Sequence, residues 1–232
     1  VWHIRQFMEA DLGKKLFREK YVYRLVARAS SVIAISKDVQ AKFEPLLGRK
    51  VDLVYNGVPV EKYKLEDVIR FESQATRMLL AGRISVQKGQ MDAIKAVELL
   101  MRRGIGNVSL TLVGQGESKE YLEYVKSYVK EHKLEQKICI LEHHDDLREL
   151  RRQCDIGLTC SKKEAFGRVT VENMLAKMLV IGANTGGTLE IVEDGYNGLL
   201  YEEGNPESLV NQIEYTMSHR DKACLLYTSP SP

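Results

Sequence analysis

Residues 77–103 read RMLLAGRISVQKGQMDAIKAVELLMRR. A short apolar run, Met78–Ala81, ends at a glycine, and the periodicity beyond it predicts a helix over Gly89–Arg103. Polar residues and glycine bound the run, which is typical of a buried strand in a parallel sheet. This unit of strand, turn and helix repeats through the rest of the chain.

Five further apolar runs alternate with five further helical segments. The predicted strands are Ser109–Val113, Lys137–Leu141, Asp155–Thr159, Leu179–Gly182 and Gly198–Leu200. The predicted helices are Lys119–His132, Asp145–Gln153, Arg168–Lys177, Gly187–Glu193 and Pro206–Ser218. Repeated β-α units of this length predict a parallel sheet with helices on both faces. Residues 77–220 are therefore expected to form a doubly wound, Rossmann-like α/β domain.

The first 57 residues predict the closing part of a second Rossmann-like α/β domain. The predicted elements are strands at Val1–Ile4, Ser31–Ile35 and Val51–Tyr55 and helices at about Phe7 to Arg28 and at Lys37–Leu47. Residues 58–76 are mostly polar and are expected to link the two domains. The chain opens in mid-pattern with Val1, so we expect an N-terminally truncated fragment. Residues 224–232 leave the helical pattern and are expected to be a non-native tail.

Composition narrows the class of protein. The chain has 232 residues, of which 44% are hydrophobic and 28% charged, and its net charge is +2. That charge gives no reason to expect a nucleic-acid partner, and no apolar run reaches the length of a membrane span. The four cysteines form no CxxC pair, so we expect reduced, buried thiols in a cytoplasmic protein.

Two cations follow the first strand of the repeat. Gly82 allows a turn, and Arg83 and Lys88 precede the next helix. Sheets of this kind bind ligands beyond the carboxyl ends of their strands. A guanidinium offers a bidentate fork to phosphate oxygens and an ammonium offers a point charge, so the pair suits a diphosphate. A solvated loop with two surface cations is the alternative.

A second motif follows the strand Asp155–Thr159. Phe166 and Gly167 stand at a helix start, where free backbone N–H groups form an anion site. Glu172 lies inside that helix and can accept hydrogen bonds from a ribose diol, whereas Glu164 precedes it and can accept from sugar hydroxyls. The spacing of eight residues is uninformative, because Glu123 and Glu131 share it in a surface helix.

Two glycine pairs stand at other turns from strand to helix. Gly186 and Gly187 let a ligand approach the backbone closely, or else form only a tight turn. Gly114 and Gly116 begin a dinucleotide-binding GxGxxG pattern, but Lys119 occupies the third glycine position. An NAD-dependent dehydrogenase is therefore disfavoured.

The motifs, in this order, resemble the retaining glycosyltransferases of family 4, or group 1, which include sucrose synthases, mannosyltransferases and bacterial polysaccharide and lipopolysaccharide glycosyltransferases. The resemblance covers about residues 1–220 and implies the two-domain GT-B fold. The shared positions are Ser36, Asn56, Gly57, Val58, Gly82, Arg83, Lys88, Gly89, Gly114, Gly116, Glu164, Phe166, Gly167, Glu172, Gly186, Gly187, Asp194, Gly195, Asn197 and Gly198.

The resemblance assigns roles to the residues on the donor side of the site. Arg83 and Lys88 would clamp the donor diphosphate and stabilise the departing nucleotide. Glu164 would face the transferred sugar, and Glu172 would bind the ribose hydroxyls. The amides around Phe166 and Gly167 would hold sugar and phosphate.

On the acceptor side the resemblance points to a histidine. His3 precedes Ser36 by 33 residues, the family's spacing for a histidine that faces the donor sugar. A strand-end histidine without a catalytic role is the alternative. Gln6 stands where members that act on surface polysaccharides often carry glutamate, so an acidic role at that position is not expected.

The implied reaction transfers a sugar from a nucleotide-diphosphate sugar to an acceptor hydroxyl with retention of configuration. In family terms the leaving phosphate assists the acceptor on the same face. The sequence has no D-x-D motif, and two fixed cations can take the place of Mg²⁺, so no metal or other cofactor is expected. A UDP-sugar is the favoured donor on family frequency. The acceptor would be a carbohydrate or a lipid-linked one, in the synthesis of cell-surface polysaccharide or glycolipid.

Alternatives to glycosyl transfer stay open. A nucleotide-sugar epimerase of similar fold would bind the same donor, and a fragment could bind it without catalysis. Contact with a membrane surface is a further expectation, which rests on a basic helical stretch. Its basic residues are Lys14, Lys15, Arg18, Lys20, Arg24 and Arg28. Because acidic residues dilute that charge, a solvated helix face is the favoured interpretation of the stretch.

Overall fold

The computed structural model describes residues 1–6, 17–144 and 146–228, which form two parallel sheets. The smaller sheet has the order β1-β2-β3, from strands Trp2–Ile4, Val32–Ala34 and Asp52–Leu53. Helix α1 (Glu19–Val26) precedes β2, and helix α2 (Lys37–Leu47) joins β2 to β3. The hydroxyl of Ser36 caps α2 by accepting a hydrogen bond from the amide of Val39 at 3.1 Å.

The larger sheet has six strands in the order β6-β5-β4-β7-β8-β9. These strands are β4 (Thr76–Ala81), β5 (Val108–Val113), β6 (Ile138–Leu141), β7 (Ile156–Thr159), β8 (Leu179–Ala183) and β9 (Leu199–Tyr201). Every pair of neighbours is parallel. The chain runs outward from β4 to β6 and then returns to place β7 beside β4. The strand order therefore reverses between β4 and β7, the point at which such sheets bind ligands.

The helices after β3 include those between the strands of the larger sheet, which follow the predicted repeat, and one before β4 in the predicted linker. They are α3 (Val60–Tyr63), α4 (Gln90–Arg102), α5 (Lys119–Glu131), α6 (Arg148–Gln153), α7 (Arg168–Leu175), α8 (Thr188–Ile191), α9 (Pro206–Ser218) and α10 (Arg220–Thr228). The predicted doubly wound α/β class is confirmed. Within the described ranges no helix is both long and apolar enough to cross a membrane.

Several predicted boundaries are wrong for local reasons. The helix predicted over Gly187–Glu193 covers only Thr188–Ile191, because the side chain of Asn197 accepts the amide of Glu193 at 2.8 Å and turns the chain. The helix predicted from Asp145 begins at Arg148, whose amide donates to the carboxylate of Asp146 at 2.7 Å. Asp145 itself lies outside the described residues.

In the smaller sheet, the strand predicted over Val51–Tyr55 pairs only through Asp52–Leu53. Of the helix predicted from Phe7 to Arg28, the structure describes Glu19–Val26, and residues 7–16 lie outside the described ranges.

The C-terminal segment differs from the sequence expectation. The helical pattern was predicted to end before Cys224, but α10 continues to Thr228. Ala223 and Leu226 are buried in the core of the larger sheet, because the helix returns to pack on that sheet. Residues 229–232 lie outside the described part of the chain.

Two of the four cysteines depart from the prediction of buried thiols, since Cys139 is exposed and Cys224 is only partly buried. Cys154 and Cys160 are buried, and burial raises the pKa of their thiols to about 11 and about 12. Cys139 is exposed, because β6 is an edge strand and this residue lies on its solvent side.

The two sheets share apolar contacts. The core of the smaller sheet takes in Ala165, Phe166 and Ile191, which belong to loops and a helix of the larger sheet. Leu65 and Phe71, from the predicted linker, are buried against the larger sheet. The division into residues 1–57, 58–76 and 77–220 stays a prediction.

Candidate active site

The loops after β4 and β7 meet because these strands are neighbours. Lys88 ends a short 3₁₀ turn, Val86–Lys88, and Gly89 follows with a φ of +63°. A Cβ at Gly89 would lie 1.9 Å from the carbonyl oxygen of Cys160, so only glycine permits this approach. The amide of Lys162 also donates to the carbonyl of Gln87 at 2.9 Å. The two loops are therefore held side by side by backbone contacts.

This approach joins two of the predicted site residues. Lys88 Nζ lies 2.6 Å from Glu164 Oε2, and the side chains are 30% and 25% exposed. Ser161 Oγ donates to the same oxygen at 2.8 Å. The pair is thus half-sheltered and remains open to a ligand on one side.

The loop after β5 contributes a second ion pair. Arg83 Nη1 lies 3.2 Å from Glu117 Oε1. A Cβ at Gly114 would lie 2.1 Å from the carbonyl oxygen of Gly82, so the ends of β4 and β5 pack backbone to backbone. The amide of Ile84 donates to the carbonyl of Gln115 at 2.9 Å. Arg83 is therefore fixed at its backbone and held by a carboxylate at its tip.

Glu172 has a buried environment of its own. Its side chain is 6% exposed, with Oε2 at 2.6 Å from Arg151 Nη2 and Oε1 at 3.1 Å from Arg168 Nε. Burial lowers the pKa of the Arg151 guanidinium, and the charge of Glu172 opposes that shift. Both carboxylate oxygens of Glu172, the residue predicted to bind the ribose, are therefore already paired with cations.

The glycine pair after β8 packs against the loop that carries Glu164. A Cβ at Gly186 would lie 2.4 Å from the carbonyl oxygen of Glu164, and one at Gly187 would lie 2.5 Å from that of Phe166. The amide of Gly187 donates to the carbonyl of Glu164 at 2.7 Å. The protein's own backbone approaches these two glycines closely. They therefore help to position the loop that carries Glu164. Donor contact by Gly186 and Gly187 stays a prediction.

Glu190 joins the two sheets at this loop. Its carboxylate accepts the amides of Lys37 and Asp38 at 2.9 and 3.0 Å, at the first turn of α2. The hydroxyl of Tyr55 donates to the same carboxylate at 3.1 Å, and burial, then Glu190, raises the pKa of Tyr55. A carboxylate at a helix N-terminus satisfies free amides and favours the helix dipole. The contact holds α2 of the smaller sheet against the α8 region of the larger one.

A cleft of about 660 Å³ lies between the sheets and brings most of the predicted residues together. Its lining includes His3, Arg83, Lys88, Glu164, Phe166 and Gly167. The apolar part of its wall comes from the smaller sheet and its helices, through Trp2, Ile4, Val22, Tyr23, Val26, Ile35, Phe43 and Leu47. Of the other predicted site residues, the described lining omits Gly82, Glu172, Gly186 and Gly187.

Some residues of the site were not predicted from the sequence. Ser161 contacts Glu164, and Gln87, Lys163 and Arg168 line the cleft. A hydroxyl three residues before the glutamate was a local signal for Ser161. Arg151 had no such signal, because its partner Glu172 is 21 residues away.

Residues 62–224 match the sequence profile of the family described as "Glycosyl transferases group 1". The chain belongs to this family. The match covers the larger sheet and its helices, including the loops that carry Arg83, Lys88 and Glu164. In the described residues, no group of three or more His, Cys, Asp or Glu side chains is arranged to hold a metal ion.

Relatives of this glycosyl transferase group 1 chain include two curated proteins. It is 29% identical to the uncharacterized glycosyltransferase MJ1178 of Methanocaldococcus jannaschii, over 88% of this chain and 55% of that protein. It is 30% identical to the lipopolysaccharide 1,2-N-acetylglucosaminetransferase of Salmonella typhimurium, over 94% of this chain and 62% of that protein. The chain therefore spans little more than half the length of these two relatives.

Solved structures confirm the GT-B fold of this group 1 chain. Anabaena HepE in complex with UDP and glucose superposes with a TM-score of 0.87 at 26% identity, over 98% of this chain and 64% of HepE. The sucrose-phosphate synthase of Thermosynechococcus elongatus gives a TM-score of 0.83 at 19% identity, over 97% of this chain and 60% of that one. At that identity the second likeness concerns the fold alone.

Proposed function

We propose that the whole protein transfers a sugar from a nucleotide-diphosphate sugar to an acceptor hydroxyl with retention of configuration. The observation that carries this proposal is the convergence of Arg83, Lys88 and Glu164 on one cleft at the point where the strand order reverses. Two cations at that point suit a diphosphate, and a carboxylate beside them suits sugar hydroxyls. Family membership supports a glycosyl transfer reaction.

Arg83 and Lys88 would act on the leaving group. As the bond to the sugar breaks, negative charge grows on the departing diphosphate, and fixed cations stabilise that charge more than they stabilise the bound donor. Each cation is already paired with a carboxylate, so donor phosphates would take the place of Glu117 and Glu164. We propose that this clamp works without a metal ion.

Glu164, His3 and the helix start would hold the sugar. Glu164 lies beside Lys88, and Phe166 and Gly167 precede α7, whose first amides point outward. His3 reaches the same cleft from the smaller sheet, opposite the donor loops. The acceptor hydroxyl would attack from the face of the leaving phosphate, which would take its proton. Glu172 would bind the ribose through lone pairs that Arg151 and Arg168 leave available, or by exchanging one of these bonds.

The proposed donor is a UDP-sugar and the proposed process is the synthesis of cell-surface polysaccharide or glycolipid at the cytoplasmic side of the membrane. HepE binds UDP-glucose, and the Salmonella relative is a lipopolysaccharide glycosyltransferase. Peripheral membrane contact is proposed through the described basic residues on or next to α1, which are Arg18, Lys20, Arg24 and Arg28. Of the basic stretch, Lys14 and Lys15 lie outside the described residues.

The test is turnover of UDP-sugars by the full-length protein with an acceptor extract, followed by determination of the anomeric configuration in the product. Retention with unchanged turnover after addition of a chelator is the expected result. Inversion would contradict the proposed mechanism, and loss of turnover with the chelator would contradict the metal-free clamp.

A further inference from the structure

The hydroxyl of Ser161 is a buried partner of the candidate sugar ligand. Ser161 lies two residues beyond the end of β7, is 7% exposed, and donates from Oγ to Glu164 Oε2 at 2.8 Å. Lys88 Nζ reaches that same oxygen at 2.6 Å. Two donors on one carboxylate oxygen fix the plane of the carboxylate, whose last torsion is otherwise broad.

The other oxygen of Glu164 is left for a ligand. In the part of the chain that the structure describes, Oε1 has no hydrogen-bond partner, and the side chain is 25% exposed on the cleft. Because Oε2 accepts both bonds, the orientation of Oε1 depends on Ser161 as much as on Lys88. If a phosphate of the ligand drew Lys88 away from Glu164, Ser161 would remain as the donor to Oε2.

Ser161 is well placed to resist that displacement. The carbonyl of Cys160, one residue earlier, packs against Gly89, and the amide of Lys162, one residue later, donates to the carbonyl of Gln87 at 2.9 Å. The backbone on both sides of Ser161 is therefore attached to the turn that carries Lys88. Its short side chain therefore starts from a fixed backbone position, whereas the contact of Lys88 with Oε2 depends on a longer side chain that is 30% exposed.

We propose that Ser161 is a positioning residue, which holds Glu164 so that Oε1 accepts a hydrogen bond from a hydroxyl of the transferred sugar. The proposal rests on the proposed function and deepens it. It assigns to Ser161 an effect on the sugar part of the donor and none on the nucleotide part. A purely structural role would change both together.

The experiment compares nucleotide and nucleotide-sugar affinities of this 232-residue chain by calorimetry. The probes are UDP, UDP-glucose, UDP-galactose and UDP-N-acetylglucosamine, and the quantity is the ratio of the UDP dissociation constant to that of the tightest UDP-sugar. Ser161→Ala removes the hydroxyl, and Ser161→Thr retains it. Thr216→Val is the matched control, because Thr216 is fully buried and donates to the carbonyl of Gln212 at 2.8 Å inside α9.

We expect Ser161→Ala to lower the ratio about five- to tenfold while UDP affinity stays within about twofold. Ser161→Thr should restore the ratio, and Thr216→Val should leave it unchanged. If the wild type binds UDP but Ser161→Ala leaves the ratio unchanged, the role of Ser161 is overturned and the donor site is upheld. The same holds if the wild type binds UDP-sugars no more tightly than UDP. No UDP binding by the wild type would overturn the proposed donor site itself, and the proposal with it.

Discussion

Arg83 and Glu117 form an ion pair between the loops after β4 and β5, with Nη1 and Oε1 3.2 Å apart. Both side chains are more than one-third exposed, so solvent screens the pair and its net contribution to stability is small. Its consequence lies in binding, because Glu117 occupies the guanidinium that we assign to the donor diphosphate. A diphosphate must compete with this carboxylate for the guanidinium or lie near its charge.

Glu117→Gln should therefore tighten the binding of UDP, by about two- to fivefold for an exposed pair. Calorimetry at low and high salt measures the effect, which should shrink as salt screens the charge. Glu123→Gln is the matched control, because Glu123 is an exposed carboxylate on α5 that pairs with Lys126 at 3.5 Å. Weaker binding in Glu117→Gln would mean that the carboxylate orients Arg83 productively and does not compete.

Gly186→Ala should disrupt the loop that carries Glu164. The residue has a φ of +53°, and the new Cβ would lie 2.4 Å from the carbonyl oxygen of Glu164. Gly48→Ala is the control, because Gly48 has a φ of +61° with open space around it. Urea unfolding should show a loss of about 1 kcal/mol for Gly48→Ala and about 3 kcal/mol for Gly186→Ala. Equal losses would show that the loop yields without cost.

Arg70 supports two helix ends from the predicted linker. Its guanidinium is buried and donates to five carbonyls, those of Arg151 and Arg152 at 2.8 Å, of Lys177 at 3.0 Å, of Ala176 at 2.5 Å and of Cys154. Arg70→Met would remove the side-chain donor from all of these carbonyls, and the bonds to Arg151, Cys154 and Ala176 are buried. The free energy of unfolding should fall by about 3 kcal/mol or more, as measured by urea unfolding.

The control for Arg70 is Arg148→Met. Arg148 is exposed and donates to one carbonyl, that of Lys64, at 3.1 Å. Arg148→Met should lower the free energy of unfolding by less than about 1 kcal/mol. A similar loss in both variants would show that the contacts of Arg70 contribute no more than a surface hydrogen bond.

The carboxylate of Glu98 makes the stability of the chain depend on pH. Burial acts to raise the pKa of Glu98, but hydrogen bonds from Tyr128 and His132 and the charge of Arg102 lower it below its usual value of 4.5. A lowered folded-state pKa contributes stability above the unfolded pKa, and that stability is lost as pH falls through the folded one. Glu98→Gln should therefore be less stable than the wild type at neutral pH.

The difference should shrink as the pH falls below about 4.5, where the unfolded chain begins to take up the proton, and be lost once the pH passes the lower folded-state pKa. Urea unfolding between pH 7 and about pH 3 measures it. Glu123→Gln, on the exposed face of the same helix pair, should show little difference at any pH. A destabilisation by Glu98→Gln that is constant with pH would contradict the assignment.

The strands of the larger sheet could be predicted from the sequence because buried parallel strands are continuous apolar runs. Met78–Ala81 and Leu179–Gly182 were found within two residues of their observed ends. The convergence of Lys88 and Glu164 followed from a general rule, since both follow strand ends.

The remainder depends on contacts between distant residues. Nothing near Arg70 indicated five carbonyl partners some 80 to 110 residues away. The burial of Leu226 depends on a helix that returns to the larger sheet, and the exposure of Cys139 on its edge position. The pairing of Glu172 with Arg151 likewise joins two helices that periodicity treats separately.

The diphosphate clamp is tested most directly by calorimetric titration of this chain with UDP, GDP and ADP in metal-free buffer. The wild type is compared with the double variant Arg83→Ala, Lys88→Ala. We predict that UDP binds and that the double variant weakens its binding at least tenfold, because two charge-assisted contacts are lost. Wild-type affinity for UDP in the double variant would contradict the clamp.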